Sequence, residues 1–274
     1  MRWKITSGGS VRDNREGEGE GGGDGDVGED EEVVERACEV VRQWTGAHGE
    51  GKVIVYGGTI RRVQMVSDRL GCVGYWRGVG NLAEKARRLL EWMSSNGGEG
   101  GWITATDESV LGIDDGNVGL VVHVGMPQTL ETFARESGQG GRGGQKSESV
   151  VVIRRAWLEQ QVEKRWEQQR QGKEDEREWE WEWDAVEFVE GKCCRRQVLD
   201  QNMGGNIDRV GCVDEEEMCD VCEARQMERE IADRRDEMGI VDIDEGSGAD
   251  TEAAQGYQRG RRDYHKLADS DWRE

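Results

Sequence analysis

The sequence contains very little proline, phenylalanine or histidine. Its 274 residues include one proline (Pro127), two phenylalanines and three histidines. Hydrophobic residues make up 34% of the chain and charged residues 35%, which excludes a single compact core throughout. No Ser/His/Asp or Cys/His arrangement typical of a nucleophilic enzyme stands out, and His123, inside an apolar run, is predicted to be a packed strand residue.

Two longer patterns are also missing. No G-x-x-x-x-G-K-[ST] sequence occurs, so the chain lacks the common loop that cradles nucleotide phosphates. No window approaches the roughly 20 apolar residues that a membrane span needs. The first residues, MRWKITSGGS, lack the apolar run of a signal peptide. We therefore expect no membrane partner.

Glycine and acidic residues are in excess. The chain has 41 glycines and a formal net charge of -21, yet residues 51–153 carry equal numbers of acidic and basic side chains. The negative charge therefore lies in the flanks. Residues 1–30 and 224–274 hold too few apolar groups to offset the entropy of ordering, so we predict that both are disordered.

Between residues 31 and 153, short apolar runs alternate with helical spacings. The apolar runs predict strands at residues 53–56, 72–76, 102–106, 118–124 and 149–153. The helical spacings predict helices from residue 31, over 59–70 with Thr59 as N-cap, over 81–93 and over 129–137. In the third helix the inward residues are predicted to be Leu82, Ala86, Leu89, Leu90 and Met93. This alternation predicts a doubly wound, parallel α/β sheet.

Residues 154–187 form a highly charged, tryptophan-containing stretch that we predict to be a linker or helix. Trp179, Trp181 and Trp183 alternate with acidic residues, a spacing that suits a strand face better than a helix face. Five of the seven cysteines follow, between residues 193 and 222. In an intracellular chain such clustering favours a metal ion over disulfides.

Three segments carry a family resemblance. Residues 53–59 read VIVYGGT, residues 105–118 read ATDESVLGIDDGNV, and residues 135–144 read RESGQGGRGG. They resemble motifs IV, V and VI of the second RecA-like lobe of superfamily-two helicases. The cysteine segment opens with C-R-R-Q at Cys194 and closes with C-D-V-C at Cys222. Together, residues 31–153 and 188–223 resemble the C-terminal part of a RecQ-type DNA helicase, in its diverged fungal form.

The resemblance implies roles for four residues of the lobe. Thr59 and Thr106 match positions that contact the nucleic-acid backbone, although Thr59 is equally well explained as an N-cap. Asp114 matches the acid that links nucleotide to nucleic acid. Arg142 matches an arginine that stabilises charge on the transferring phosphoryl group.

The chain departs from these motifs at several positions. Val110 and Gly116 replace a glycine and a proline of motif V, and Gly57 stands where motif IV commonly has cysteine. Asp107 and Glu108 add negative charge beside a phosphate-contacting position. Gln139 replaces the first arginine of motif VI and cannot supply a fixed positive charge.

The resemblance also implies a structural Zn²⁺ site in residues 188–223, which we predict to be a small helical module. Its ligands would be Cys194, Cys212, Cys219 and Cys222, a closed four-thiolate set with no open position for catalysis. Six residues separate Cys212 from Cys219, where the family usually has two. Cys193 is an alternative to Cys194, although the R-R-Q context favours Cys194, and a metal-free remnant is the alternative to zinc.

The function implied is that of an ATP-dependent 3′–5′ DNA helicase of which this chain supplies only the C-terminal portion. We expect no ATP turnover by the chain alone, since ATP and Mg²⁺ would bind only when a first RecA-like lobe is supplied. The implied partners are single-stranded or forked DNA and a first-lobe polypeptide. The implied location is the nucleus, with the cytosol as the alternative.

Two other readings remain open. A non-enzymatic module would keep the fold and bind DNA or a protein. A decayed helicase remnant would explain Val110, Gln139 and the single proline.

Overall fold

The computed structural model describes residues 1–7, 25–107, 115–170 and 183–237, and a six-stranded parallel sheet is its centre. The strands are β1 (Arg2–Ser7), β2 (Gly51–Tyr56), β3 (Val73–Tyr75), β4 (Gly97–Ala105), β5 (Val118–Val124) and β6 (Glu148–Ile153). Their order across the sheet is β1-β6-β5-β2-β4-β3, and every neighbouring pair is parallel.

The described residues also form helices that cover both faces of the sheet. They are α1 (Gly25–His48), α2 (Ile60–Leu70), α3 (Leu82–Met93), α4 (Leu130–Ser137), α5 (Arg155–Arg170), α6 (Trp183–Glu190), α7 (Arg195–Met203) and α8 (Asp220–Glu237). Helices α1 and α2 pack on one face, and α3 and α4 on the other. The predicted doubly wound α/β fold is confirmed.

The strands form from apolar runs because both faces of the sheet are buried. All six residues of β2 are buried, with Val53 and Val55 on the α1 face and Ile54 on the α3 face. A strand covered on both sides shows no polar alternation, which is why residues 53–56 form an unbroken run of Val, Ile and Tyr. Within the described ranges, no helix has both the length and the apolar composition needed to cross a membrane.

The first strand lies in a stretch predicted to be disordered, and this prediction was wrong at both ends. β1 pairs with β6 in the register Ile5 to Val151, and α1 already begins at Gly25. Trp3 and Ile5 pack against buried apolar residues, while the ammonium of Lys4 lies 2.7 Å from the carboxylate of Glu148. The alternation W-K-I-T is that of a half-buried edge strand, and a long run of glycine and acid follows it.

The inward face predicted for α3 was wrong in part, because Leu89 packs against the core but Leu82 and Leu90 do not. Leu82 and Leu90 are 85% and 61% exposed, whereas Trp92 is 1% exposed. The indole N–H of Trp92 donates to the carbonyl of Gly101 at 2.8 Å, and the Lys52 ammonium lies 5.0 Å from the ring centre. One large side chain with a polar anchor therefore sets the rotation of the helix, against the spacing of the leucines.

The cysteine-rich part contains helices α7 and α8, and the tail is more helical than predicted. The chain divides into two compact units, residues 1–226 and residues 227–274. Helix α8 continues to Glu237, well into the stretch predicted to be disordered. Trp183 opens helix α6 rather than lying on a strand face. Trp179 and Trp181 fall outside the described residues.

Candidate nucleic-acid interface and metal centre

Two of the predicted site residues lie together at the carboxyl edge of the sheet. Strands β2 and β4 are neighbours and parallel, and Thr59 and Thr106 follow their carboxyl ends. Ligands of open α/β sheets bind outside this edge, because the loops there are free to shape a crevice. Both threonines line one cleft of about 780 Å³.

Thr59 is the N-cap of α2, as predicted. Its hydroxyl oxygen accepts a hydrogen bond from the backbone N–H of Arg62 at 3.2 Å. The hydroxyl hydrogen remains able to donate to a ligand. Gly57 is required just before it, because a Cβ there would lie 2.9 Å from the backbone nitrogen of Val63.

A buried carboxylate fixes the arginines beside Thr59. Asp30 of α1 is 5% exposed, and its oxygens lie 2.6 Å from Nε of Arg62 and 3.5 Å from Nε of Arg61. Arg62 also donates to the carbonyl of Val124 at 3.2 Å. Arg61 stays 46% exposed, so it is the more accessible positive charge at this rim of the cleft.

Thr106 has an acidic neighbour in the cleft. Its hydroxyl donates to a carboxylate oxygen of Asp107 at 3.1 Å. A phosphate at Thr106 would therefore compete with this carboxylate and meet its negative charge. The predicted Asp114 and the substituted Val110 lie outside the described residues.

Arg142 lies at the opposite, amino-terminal edge of the sheet. The N–H of Gly141 donates to the carbonyl of Val118, the first residue of β5, at 3.0 Å. Gly116 and Gly143 touch through their backbones, since a Cβ on Gly143 would lie 2.7 Å from the Gly116 carbonyl. Glycine in place of the family's proline at 116 thus permits a close approach of two loops.

The same edge holds a buried lysine that sequence reasoning missed. Lys52 is 3% exposed, and its ammonium donates to the carbonyl of Met93 at 2.8 Å and to the carboxylate of Asp115. This pair ties the end of the 107–115 connection to the start of β2. The exposed Arg142 donates through Nε to the carbonyl of Gly138, at 3.1 Å, in its own loop. The structure therefore separates Thr59 and Thr106 from Arg142.

A second buried pair lines the carboxyl-edge cleft. His123 of β5 is 4% exposed, and its Nε2 lies 3.1 Å from a carboxylate oxygen of Glu136, a contact that lacks hydrogen-bond geometry. The imidazole stacks with Tyr56 at 5.5 Å between ring centres. His123 is the packed strand residue that was predicted. Its partner lies on another element, so no local pattern in the sequence signals the pair.

The four predicted cysteines come together. The sulfurs of Cys194, Cys212, Cys219 and Cys222 all lie within 4.8 Å of one another. That of Cys194 is 3.7 Å from that of Cys212 and 3.9 Å from that of Cys219. Four thiolates about 2.3 Å from a tetrahedral ion would be about 3.8 Å apart. The cluster can therefore hold a metal ion, and the longer spacing after Cys212 does not prevent this.

The protons in this cluster are unevenly shared. A hydrogen bond from Cys194 lowers the pKa of the Cys219 thiol. The same hydrogen bond, with burial, raises the pKa of Cys194. Cys193 lies outside the cluster, and its thiol is 3.7 Å from a carboxylate oxygen of Glu187.

The two arginines after Cys194 connect the cluster to β1. Buried Arg195 makes two 2.9 Å contacts with the carboxylate of Asp220, which also accepts from the backbone N–H of Ile5 at 3.0 Å. Arg196 donates to the sulfur of Cys212 at 2.9 Å and lies 4.7 Å from the ring centre of Trp3. Strand β1, which was not predicted from the sequence, therefore contacts the cysteine module directly.

Comparison with curated proteins gives helicases of two types. RecQ ATP-dependent DNA helicase of Pasteurella multocida is 32% identical over 44% of this chain and 18% of its own length. Putative ATP-dependent DNA helicase Q1 of Caenorhabditis elegans is 26% identical, with shares of 53% and 22%. DEAD-box ATP-dependent RNA helicase 9 of Oryza sativa is 30% identical, with shares of 37% and 16%. The chain thus spans about a fifth of these relatives.

Among solved structures, domain 2 of the DEAD-box helicase Mss116p, bound to an RNA duplex, aligns with a TM-score of 0.43 at 15% identity. That alignment covers 56% of this chain and 54% of the other. No protein-family model matches the chain. From the sequence relatives, the chain carries a lobe like the C-terminal lobe of superfamily-two helicases.

Proposed function

We propose that this chain is the second motor lobe and zinc module of a RecQ-like, ATP-dependent 3′–5′ DNA helicase. The observation that carries the proposal is the convergence of Thr59 and Thr106, from separate motifs, on one cleft. Two hydroxyl donors at the rim, one of them capping a helix start, suit the phosphates of a single strand. Most of the affinity of such an interface comes from phosphate contacts.

In this proposal one edge of the sheet contacts nucleic acid and the other edge contacts the nucleotide. The carboxyl edge holds nucleic acid through Thr59 and Thr106. The amino edge presents Arg142 toward a nucleotide held by a first RecA-like lobe. By resemblance, Asp114 would link that nucleotide to the nucleic acid. That lobe would bring ATP and Mg²⁺, because this chain has no phosphate loop. Alone, the chain binds nucleic acid but does not hydrolyse ATP.

The four cysteines would hold a structural Zn²⁺ ion. Their sulfur separations fit tetrahedral thiolate coordination. Such an ion has no open position, so its part is to fold residues 188–223 against β1. We place the protein in the nucleus, acting in DNA repair or recombination.

A non-enzymatic module that binds DNA or a protein is the second candidate. Asp107 already occupies the hydroxyl of Thr106, and Gln139 stands in the place of the first arginine. A diverged lobe that keeps its fold but has lost turnover would look like this, whether it is a working binding module or a decayed remnant.

The experiment compares the full chain with its Thr59→Ala and Thr106→Val variants. Binding to single-stranded DNA and RNA of equal length is measured, and ATP hydrolysis is followed with and without a first-lobe polypeptide. Asn81→Ala is the matched control, because Asn81 caps α3 in the same way but lies outside the cleft. We expect DNA binding to fall only in the two threonine variants and hydrolysis to need the first lobe. ATP turnover by the chain alone would contradict the proposal.

A further inference from the structure

The connection between α7 and α8 turns several apolar side chains outward. Ile207, Val210 and Val213 are 65%, 84% and 56% exposed, and Met218 is 38% exposed. Single exposed apolar residues are common on soluble proteins, whereas a group of them marks an interaction surface. We refer to residues 204–218, which hold all four, as the outer loop.

Polar contacts fix the shape of the outer loop. The side chain of Arg209 is 14% exposed, and its two Nη atoms lie 2.7 and 2.9 Å from the carboxylate oxygens of Glu216. Nε of Arg209 also pairs with Asp200 of α7. Backbone turns at 206–209 and 213–216 stand at the two ends of this contact. The loop therefore turns a charged pair inward and its apolar side chains outward, the reverse of an ordinary surface loop.

The exposed charge on the outer loop is negative. Its five acidic residues are Asp208, Asp214, Glu215, Glu216 and Glu217. The first three of these are exposed. The one basic residue of the loop is Arg209, which is directed at two carboxylates, and Lys146 from the segment before β6 pairs with Glu217. The apolar side chains are therefore surrounded by carboxylates.

This charge selects the kind of partner. A nucleic-acid backbone would be repelled by the exposed carboxylates, and so would a second copy of the same loop. A partner bearing lysine or arginine would be attracted to them, while its apolar side chains would cover Val210 and its neighbours. An apolar centre with a charged rim is the usual arrangement of a protein–protein interface.

We propose that the outer loop binds a partner protein through a basic segment that also carries apolar side chains. The partner's apolar side chains cover Ile207, Val210 and Val213, and its lysines or arginines lie beside Asp214 and Glu215. The cysteine module is then a docking site for another protein. No residue of the carboxyl-edge cleft takes part, so the inference does not rest on the proposed helicase function.

The test begins with a phage-displayed library of random short peptides. The library is selected on the full chain, and the enriched peptides are synthesised and titrated against it by calorimetry. We expect these peptides to combine lysine or arginine with leucine, isoleucine or phenylalanine. Failure to enrich such peptides would overturn the inference.

The apolar part of the surface is tested with the serine variant, Ile207→Ser/Val210→Ser. Loss of two central apolar contacts should weaken binding of the enriched peptides about tenfold. Leu82→Ser is the matched control, because Leu82 is 85% exposed but lies on α3, and it should bind like the unaltered protein. Equal affinities of the serine variant and the unaltered protein would rule out this docking site.

The charged part is tested with Asp214→Asn/Glu215→Gln. Removing both charges should weaken binding about threefold at low salt, and the difference should shrink at high salt because exposed charges are screened. Both residues are exposed, so this variant still decides the question if the serine variant does not fold. Unchanged affinity would contradict the choice of a basic partner.

Two other occupants are outcomes of the same experiment. Single-stranded DNA is titrated against the unaltered protein and the serine variant, and the mass of each protein is measured by sedimentation. We expect neither the DNA affinity nor the mass to differ between them. Loss of DNA binding, or of a dimer, in the serine variant would assign the surface to nucleic acid or to a second copy and would overturn the inference.

Discussion

The sheet and the cysteine module are stabilised by different forces. In the sheet, whole strands such as β2 are buried, and their apolar side chains pack against helices on both faces. In the connection between α7 and α8, Ile207, Val210 and Val213 are more than half exposed. There the close contacts are between sulfurs and between charges, such as those of Arg195 with Asp220.

This difference says which region can fold by itself. Burial of apolar surface stabilises the sheet at roughly 25 cal/mol per Å². Helix α7 shares in this burial, because Val198 and Leu199 are buried in the apolar cluster that contains Phe133 of α4. The connection after α7 exposes its apolar side chains, and a segment without a core of its own usually needs a metal or disulfides. We therefore expect the connection between α7 and α8 to depend on a metal ion held by the four cysteines, whereas the sheet is stabilised by apolar burial.

Loss of the metal is expected to give the largest loss of folding free energy, and only in the cysteine module. Zinc binding to small four-ligand modules is worth about 10 kcal/mol of folding free energy. Cys219→Ala, or chelation, should remove one zinc per chain and open residues 204–218 to protease while the sheet still melts cooperatively. Elemental analysis and limited proteolysis test this, with Cys193→Ala as the control. Purified protein without zinc, and with melting unchanged by chelator, would contradict it.

Truncating a core side chain should instead unfold the sheet. Phe133 is fully buried on α4, so Phe133→Ala is expected to cost roughly 3–5 kcal/mol of unfolding free energy and to unfold the sheet. Leu90→Ala, at a position 61% exposed, should cost under about 0.5 kcal/mol. Denaturant unfolding of both variants tests the two values. A large loss for Leu90→Ala would mean that α3 buries its leucines after all.

Breaking the ion pair that joins the two regions comes next. Asp220→Ala leaves Arg195, 4% exposed, without its carboxylate and removes the acceptor for the N–H of Ile5. Removing one partner of a buried pair costs about 3 kcal/mol. Hydrogen exchange should rise in β1 and the module, and not in β2. The exposed Asp214→Asn is the control, and equal exchange in both variants would argue against this coupling.

The smallest effect is expected where neither region's stability is involved. Asp107→Asn removes a negative charge beside Thr106 while keeping a hydrogen-bond acceptor. Affinity for a single strand should rise up to about fivefold at low salt, and less at high salt, with unchanged melting. Asp68→Asn, in a separate cleft, is the control. Weaker binding after Asp107→Asn would show that the carboxylate helps to present the hydroxyl.

Much of the fold could be predicted because burial on both faces leaves a strong pattern. Apolar runs located β2, β5 and β6, and the positions of Thr59 and Thr129 located the starts of two helices. β1 could not be located in this way. It is a short edge strand followed by glycine and acid, and its pairing with β6 joins residues about 146 positions apart.

The site residues also divide into those that could be named from the sequence and those that could not. The resemblance to helicase motifs was enough to name Thr59, Thr106 and the four cysteines. Residue types and spacing were not enough to find Lys52 with Asp115, or His123 with Glu136, because each pair joins residues of different elements. Nor did they show that Asp107 takes the hydroxyl of Thr106, since the side-chain direction depends on the backbone after β4.

By itself, the sequence determined the parallel α/β sheet and the N-cap of α2, because these follow from local pattern, and its resemblance to a known family named the four-cysteine set. The tertiary structure decided which edge of the sheet each motif occupies, how α3 is rotated around Trp92, and that β1 supports the cysteine module. These features depend on contacts between residues far apart in the chain, and a local pattern carries no record of such contacts.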